Sequence, residues 1–340
     1  MEYLLEQWNF ALSHSILRWI ILLVSIGFIT KGADWFTDSA VNIAKATGIP
    51  RVIIGATIVS MATTMPEFTV SFIATIIGGP ERDMAVGNAI GSCVCNIGLI
   101  LASCLLIRPM MIQRAITFKQ AIFMIGTGIL VTALGLIGEP NPLYEGSISF
   151  LSRIDGVILI IALAGYLYFT YVIAQKERSR KVEGVATEEP VVGDKDEETK
   201  IKLSTEFLWF FIGSAGVVLG STGLVQSSSR IAEAFGVPKL VISLTLVAFG
   251  TSLPEYVTAL MATIKGYQEL SVGNIIGADI LDIVWVLGGC SLVGGLPIQY
   301  QTKVLDFPAM LVLMLLLVIF GMTKDHWSRK EGAMILLVYM

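Results

Sequence analysis

The sequence predicts an all-α membrane protein of about ten transmembrane helices, arranged as two inverted five-helix repeats with a broken helix in each. Three observations predict it. Apolar residues make up 54% of the 340-residue chain and charged residues only 15%, with a mean hydropathy of +0.76, whereas a soluble chain carries about a quarter charged residues. Long apolar runs follow one another from end to end. Segments of the first half return in the second in the same order, 188 residues on and then 186 after one loop.

A helix needs about 20 apolar residues to cross the hydrocarbon core. Ten runs qualify as candidates: 15–45, 49–77, 84–107, 115–138, 154–175, 205–231, 237–264, 270–293, 304–322 and 331–340. Glu2 and Glu6 precede the first run where a signal peptide would be basic, and no small-residue cleavage site follows, so it reads as a retained helix. The first and sixth runs have polar C-terminal halves, which predicts tilt or a bend. The tenth is too short to cross fully. Residues 176–204 carry Lys176, Arg178, Arg180 and Lys181, then Glu188, Glu189, Asp194, Asp196, Glu197 and Glu198. They read as a solvated linker between a first repeat, 1–175, and a second, 205–340. A regulatory calcium site among these acids is the alternative to a plain charged linker.

Lys and Arg counts set the orientation. With the N-terminus outside, sixteen basic residues, including seven in the linker, fall on the cytoplasmic side and six on the external side. The expectation is a multi-pass protein of the cell membrane with a cytoplasmic linker. The net charge of −4 says little, since the charges sit mainly in loops, but the lack of a basic domain and of aromatic-basic interleaving argues against nucleic acid as a partner.

Gly48-Ile-Pro50-Arg51 returns as Gly236-Val-Pro238-Lys239, and Met65-Pro66-Glu67 as Leu253-Pro254-Glu255, both 188 residues on. Gly32 matches Gly220, and Ser39 matches Ser227. After a two-residue difference in a loop, Gly87-Asn88-Ala89-Ile90-Gly91 matches Gly273-Asn274-Ile275-Ile276-Gly277. Five spans per half invert the second half relative to the first. Inverted repeats related by an axis in the membrane plane are a transporter architecture.

Proline lacks an N–H and clashes with the preceding turn, so Pro66 and Pro254 should each break a helix. Carbonyls at Ser60, Thr63, Ala248 and Thr251 are then expected to face an ion. A single kink would mean little, but these two stand at matching positions and each precedes a glutamate. Glu67 lies about 18 residues into its run, an axial depth of about 27 Å. An ionised group inside the membrane costs roughly 2.5–3.5 kcal/mol on the insertion scale. In the third run Asn88, Ser92 and Asn96 share one helical face, and Asn274, Ala278 and Asp282 repeat it. These oxygen donors suit hard cations such as calcium.

The cysteines are Cys93, Cys95, Cys104 and Cys290, all within apolar runs. They read as small buried hydrophobes, with a metal or disulfide role as the lesser alternative. Cys93 and Cys95 should point in different directions. His14 and His326 lie near the chain ends, so with neither His nor Cys expected among the ligands, zinc and copper sites are disfavoured.

The Thr-Ser/Thr-x-Pro-Glu and Gly-Asn-x-x-Gly segments resemble the alpha repeats of the calcium/cation antiporter superfamily, especially its prokaryotic sodium/calcium exchangers. The resembling motifs lie at about 49–107 and 237–293. The resemblance implies ten helices, with two broken helices from each half around a diamond of cation sites. It implies side-chain ligation by Glu67, Thr64, Ser92, Asn96, Glu255, Ser252 and Asp282, and carbonyl ligation by Ser60, Thr63, Ala248 and Thr251. The sequence departs from the family pattern at Cys93 and Asp279, where asparagine is common, and at Ala278, where serine is common. Asp279 reads either as a fourth carboxylate of the site or as a charge on the cavity wall.

Glu67, Glu255 and Asp282 bring three negative charges to one pocket. If only neutralised states can change access, the carrier must leave with one ion type and return with another. The expectation is therefore a secondary active antiporter that works as a monomer in the bilayer, exports calcium from the cytoplasm in exchange for sodium, and needs no cofactor. A proton/calcium antiporter is the alternative. Proton-coupled relatives tend to carry a glutamate in the Gly-Asn segment, where this chain has Ile90 and Ile276. A cation channel would need a continuous pore, and an enzyme would need a nucleophile–base pair that the sequence lacks.

Overall fold

The computed structural model describes residues 15–78, 82–137, 147–182, 202–237, 248–323 and 326–340. The helices are α1 (Ser15–Thr47), α2 (Arg51–Thr63), α3 (Met65–Ile77), α4 (Met84–Ile107), α5 (Arg114–Ile137), α6 (Arg153–Val182), α7 (Leu203–Ala234), α8 (Leu253–Lys265), α9 (Gln268–Gly294), α10 (Thr302–Met322) and α11 (Arg329–Tyr339). Seven are long and apolar enough to cross a membrane, and the pair α2–α3, bent by 43°, makes an eighth span.

Ten spans were expected, and the difference has two sources. Residues 238–247, the first part of the seventh expected run, lie outside the described residues; what is described is a short turn at Ala248–Gly250 and α8. The tenth is α11, whose 11 residues reach about 16 Å, short of a core about 30 Å thick. The linker boundary also moves. Good helix formers such as Lys, Glu and Arg let α6 run on to Val182, so residues 176–182 are helical and 183–201 lie outside the described residues.

Helices α1 and α7, of 33 and 32 residues, each run unbroken for about 50 Å and must cross a membrane tilted. They pack on each other through small residues. A Cβ on Gly32 would stand 2.8 Å from the Gly213 carbonyl oxygen, and one on Gly213 2.6 Å from the Phe36 nitrogen. Phe36 stacks on Phe210 at 4.5 Å, beside the tilted pair Trp35 and Trp209 at 5.2 Å. Lys265, at the end of α8, ties this pair to the rest of the molecule through Asp34 at 2.5 Å and Asp38 at 2.7 Å.

Helix α9 is the innermost. Every residue from Leu270 to Leu281 is buried. The Gly-Asn-x-x-Gly motif explains how it gets there. Backbone meets backbone where α9 crosses α2: a Cβ on Gly277 would lie 2.6 Å from the Ala56 Cα and the Ser60 Oγ, and Gly273 packs on the Val52 carbonyl. Only small residues allow such a crossing in a membrane protein, where close packing replaces the hydrophobic effect between helices.

The repeat is visible in the backbone. Gly48 and Gly236 have φ of 71° and 80°, and Gly78 and Gly266 have φ of 81° and 87°; each pair is 188 residues apart. Two antiparallel ribbons join the halves. Strand β1 (Met110–Met111) follows α4 and pairs with β4 (His326–Trp327) before α11, while β2 (Ser147–Leu151) precedes α6 and pairs with β3 (Leu296–Gln299) after α9. Each ribbon takes one strand from each repeat.

Replacing Gly277 with valine should lower the thermal stability of the detergent-solubilised protein by about 1–3 kcal/mol, the range for overpacking. Gly126 faces open space, so Gly126→Ala should be neutral or slightly stabilising. Fluorescence-monitored melting of the two variants checks both.

Candidate functional site

The first helix break falls where the sequence places it, and among the described residues α8 starts at the matching position of the second repeat. Thr64 separates α2 from α3 with φ −77° and ψ −5°, and its repeat mate Ser252 precedes α8 with φ −84° and ψ 6°. Proline stands in the first turn of the helix that follows each break, where its missing N–H costs nothing. The next residue in each case is the glutamate, and both Glu67 and Glu255 are 1% exposed.

The side chains around them come from both repeats. The Thr64 hydroxyl donates to Glu255 Oε1 at 3.4 Å, and the Ser92 and Ser252 hydroxyls lie 3.0 Å apart. Thr63 donates to Asn274 Oδ1 at 3.3 Å, and Thr251 donates to Asn88 Oδ1 at 3.1 Å. Asn88 also donates to the Glu67 carbonyl at 3.3 Å and to Ser71 Oγ at 3.0 Å, while Asn274 donates to Thr258 Oγ1 at 3.2 Å. Asn88 and Asn274 thus pin each broken helix to its neighbours. Glu67 lies within electrostatic reach of Glu255 and Asp282, and Asp282 within reach of Asp279. Both Glu67 carboxylate oxygens, Glu255 Oε2, Asp282 Oδ1 and Asn96 Oδ1 are buried with no hydrogen-bond partner. In a folded protein such atoms call for an explanation, and an ion is one of the few that serve.

Asp279 is fully buried, and its Oδ1 accepts from Asn96 Nδ2 at 3.0 Å. Ala248 opens the short turn Ala248–Gly250. The Ser60 carbonyl is not left bare: it accepts from the Thr64 N–H at 2.8 Å and from the Thr63 hydroxyl at 3.2 Å. The reason is spacing, since the bond that Pro66 forgoes would run to the residue four back, Ala62.

Cys93 is buried in the apolar core, as its place in an apolar run predicts, and it also has acidic neighbours. Cys93 Sγ and a carboxylate oxygen from each of Asp279 and Asp282 lie within 4.8 Å of one another. Position 93 is the repeat mate of position 279, and the pseudo-two-fold brings the two together. Cys95, two residues on, is only partly buried.

Sequence reasoning also missed the π-helical turns. Besides one at Thr302–Asp306 in α10, they occupy Gly55–Val59, Asn96–Leu101 and Asp282–Leu287. The last two are repeat mates that begin on Asn96 and Asp282. A π turn re-aims side chains and is common at functional sites. Tyr166 of α6, fully buried, donates to the Ala56 carbonyl within the first of these turns at 2.5 Å. No side-chain signal marks a π turn, although the repeated small residues around it could have flagged the region.

Comparison with known proteins places the chain in a family. Residues 17–172 and 205–340 match the family model described as sodium/calcium exchanger protein. The inner membrane protein YrbG of Escherichia coli is 31% identical over 298 residues, covering 88% of this chain and 86% of YrbG. The sodium/calcium exchanger MaX1 of Methanosarcina acetivorans is 28% identical over 345 residues, covering 95% and 96%. Among solved structures, the sodium-calcium exchanger NCX_Mj soaked with sodium superposes with a TM-score of 0.77 at 29% identity, over 95% of this chain and 97% of that one. With the family model matched on both sides of the linker, and both repeats folded around one buried acidic centre, this chain belongs to the sodium/calcium exchanger family.

Proposed function

We propose that this protein exchanges sodium for calcium across the cell membrane by alternating access and exports calcium from the cytoplasm. The observation that carries this reading is the pair Glu67 and Glu255, buried at pseudo-two-fold-related helix breaks with carboxylate oxygens that have no hydrogen-bond partner. Asp282, Asn96 and the hydroxyls of Thr64, Ser92 and Ser252 complete a set of oxygen donors. Such donors suit calcium, which accepts irregular geometry and carboxylate ligands, and they suit sodium for the same reason. Asp279 is held by Asn96 at the rim of this set, and the carbonyls of Thr63, Ala248 and Thr251 are proposed to complete it.

Obligatory exchange follows from charge. Uncompensated carboxylates in a low dielectric are costly, so the site changes sides only when cations neutralise it. A calcium ion does this in one direction and sodium ions in the other. All of these donors come from one chain, which supports a monomer as the working unit.

The orientation proposed has the N-terminus outside and the linker in the cytoplasm. Arg108, Arg329 and Lys265, all counted to the inside, gather at one end: Arg108 donates to the Ile264 carbonyl, Arg329 to the Ile107 carbonyl, and Lys265 pairs with Asp34. Arg82 and Arg153, counted to the outside, meet at the other end on the Gly294 and Val293 carbonyls.

Calcium-45 uptake into proteoliposomes, with sodium, potassium or proton gradients imposed separately, tests the whole reading. Uptake is expected with an outward sodium gradient; uptake driven by protons alone would instead select the proton/calcium antiporter.

Glu67→Ala and Glu255→Ala should each abolish uptake and weaken calcium binding by at least about tenfold, with the protein still monodisperse in detergent. Isothermal titration beside the flux assay checks this. Asp282→Asn should retain sodium-driven uptake with altered kinetics, because it keeps one carbonyl oxygen and makes the second repeat match Asn96 of the first. Complete inactivity of well-folded Asp282→Asn would show that the charge at this position is indispensable.

A further inference from the structure

One group of side chains is not accounted for by oxygen ligation of calcium. Cys93 and Asp279 occupy the same position in the two repeats, 186 residues apart like Gly87 and Gly273. The pseudo-two-fold sets them face to face, with Cys93 Sγ donating to the Asp279 main-chain carbonyl at 3.6 Å. The thiol sulfur and one carboxylate oxygen each from Asp279 and Asp282 lie within 4.8 Å of one another, and all three residues are buried. Asn96 holds one oxygen of Asp279 at 3.0 Å, while Asp279 Oδ2, Asp282 Oδ1 and Asn96 Oδ1 have no hydrogen-bond partner. Burying so many acceptors beside a thiol is unfavourable unless something positive joins them.

We infer that Cys93, Asp279 and Asp282 form a binding position for a thiophilic divalent cation, adjoining the calcium site and sharing Asp282 with it. Thiolate ligands select soft and borderline metals, whereas carboxylates alone favour hard ones. Tetrahedral sites with sulfur and oxygen ligands hold their donor atoms roughly 3.5 Å apart, so the present spacing needs only a modest contraction. On binding, the metal–sulfur bond replaces the S–H bond, and the proton leaves to solvent. The consequence is a broadened ion selectivity: zinc or cadmium would lodge beside the calcium position and compete with calcium through Asp282. The inference rests on the calcium-site reading only in that shared residue.

The probe is cadmium, titrated into the purified full-length protein in detergent. The readouts are the ultraviolet sulfur-to-cadmium charge-transfer band and the cadmium dissociation constant by calorimetry. The wild type should show the band. Cys93→Ser should lose it and bind cadmium at least about tenfold more weakly, whereas Cys95→Ser should keep it. Asp279→Asn should keep the band and still bind cadmium more weakly. A band that persists in Cys93→Ser, or cadmium affinity unchanged in Asp279→Asn, would overturn the inference, and the second variant decides the matter if the first does not fold. None of these readouts requires transport, so a failure of sodium/calcium exchange in proteoliposomes would leave them untouched and would count only against the exchange reading.

Discussion

Moving a carboxylate out of water into a membrane interior costs several kcal/mol unless a cation or donors compensate it. Glu67 and Glu255 both bear that cost, each 1% exposed and each with oxygen that no protein group satisfies. Much of the fold serves to hold them there. The prolines beside them allow the chain to turn within the bilayer without leaving an N–H unsatisfied. Asn88 and Asn274 reach across from the other helices to fix the broken ends. The hydroxyls of Thr64, Ser92 and Ser252 fill the space between, where apolar residues would leave the acids more isolated.

The scaffold that permits this is built from small residues. Where α9 crosses α2, the approach at Gly273 and Gly277 leaves no room for a Cβ, and the same device joins α1 to α7. In lipid there is no hydrophobic drive between helices, so close van der Waals contact and polar links do the work. The π turns that begin on Asn96 and Asp282 then rotate these donors relative to a regular helix, in both repeats alike. The carbonyls displaced by such turns need partners, and Tyr166 supplies one to Ala56.

Much of this was legible from residue order. The doubled Pro-Glu and Gly-Asn-x-x-Gly segments gave the breaks, the inversion and the acidic centre, because proline geometry and buried charge act locally and recur in the same order. What escaped was set by relations between distant segments. The π turns depend on packing rather than on any residue preference. Cys93 looked like a small hydrophobe because a thiol in an apolar run usually is one; only the pseudo-two-fold, which places position 93 against position 279, reveals its acidic neighbours. The Ser60 carbonyl was expected to be free, but a proline releases the acceptor four residues back, and for Pro66 that is Ala62. Residue type alone did not show that α6 would outrun the apolar stretch as far as Val182, since its charged end is both a good linker and a good helix.

The tie between Lys265 and the pair Asp34 and Asp38 exists in one copy. The repeat mates of those three residues are Ile77, Thr222 and Gln226, which cannot form it. A carrier whose halves were identical would rest equally often facing either side of the membrane. In this chain the repeat mates of Lys265, Asp34 and Asp38 carry no charge, so among the described residues this particular tie is made at one end only. With Lys265 21% exposed and its partners 32% and 50%, solvent limits such a fastening to about 1 kcal/mol. That is still enough to shift a two-state balance about fivefold. Such a tie biases one facing over the other only to the extent that it opens when access changes, so its reach across α1 and α8 matters more than its strength.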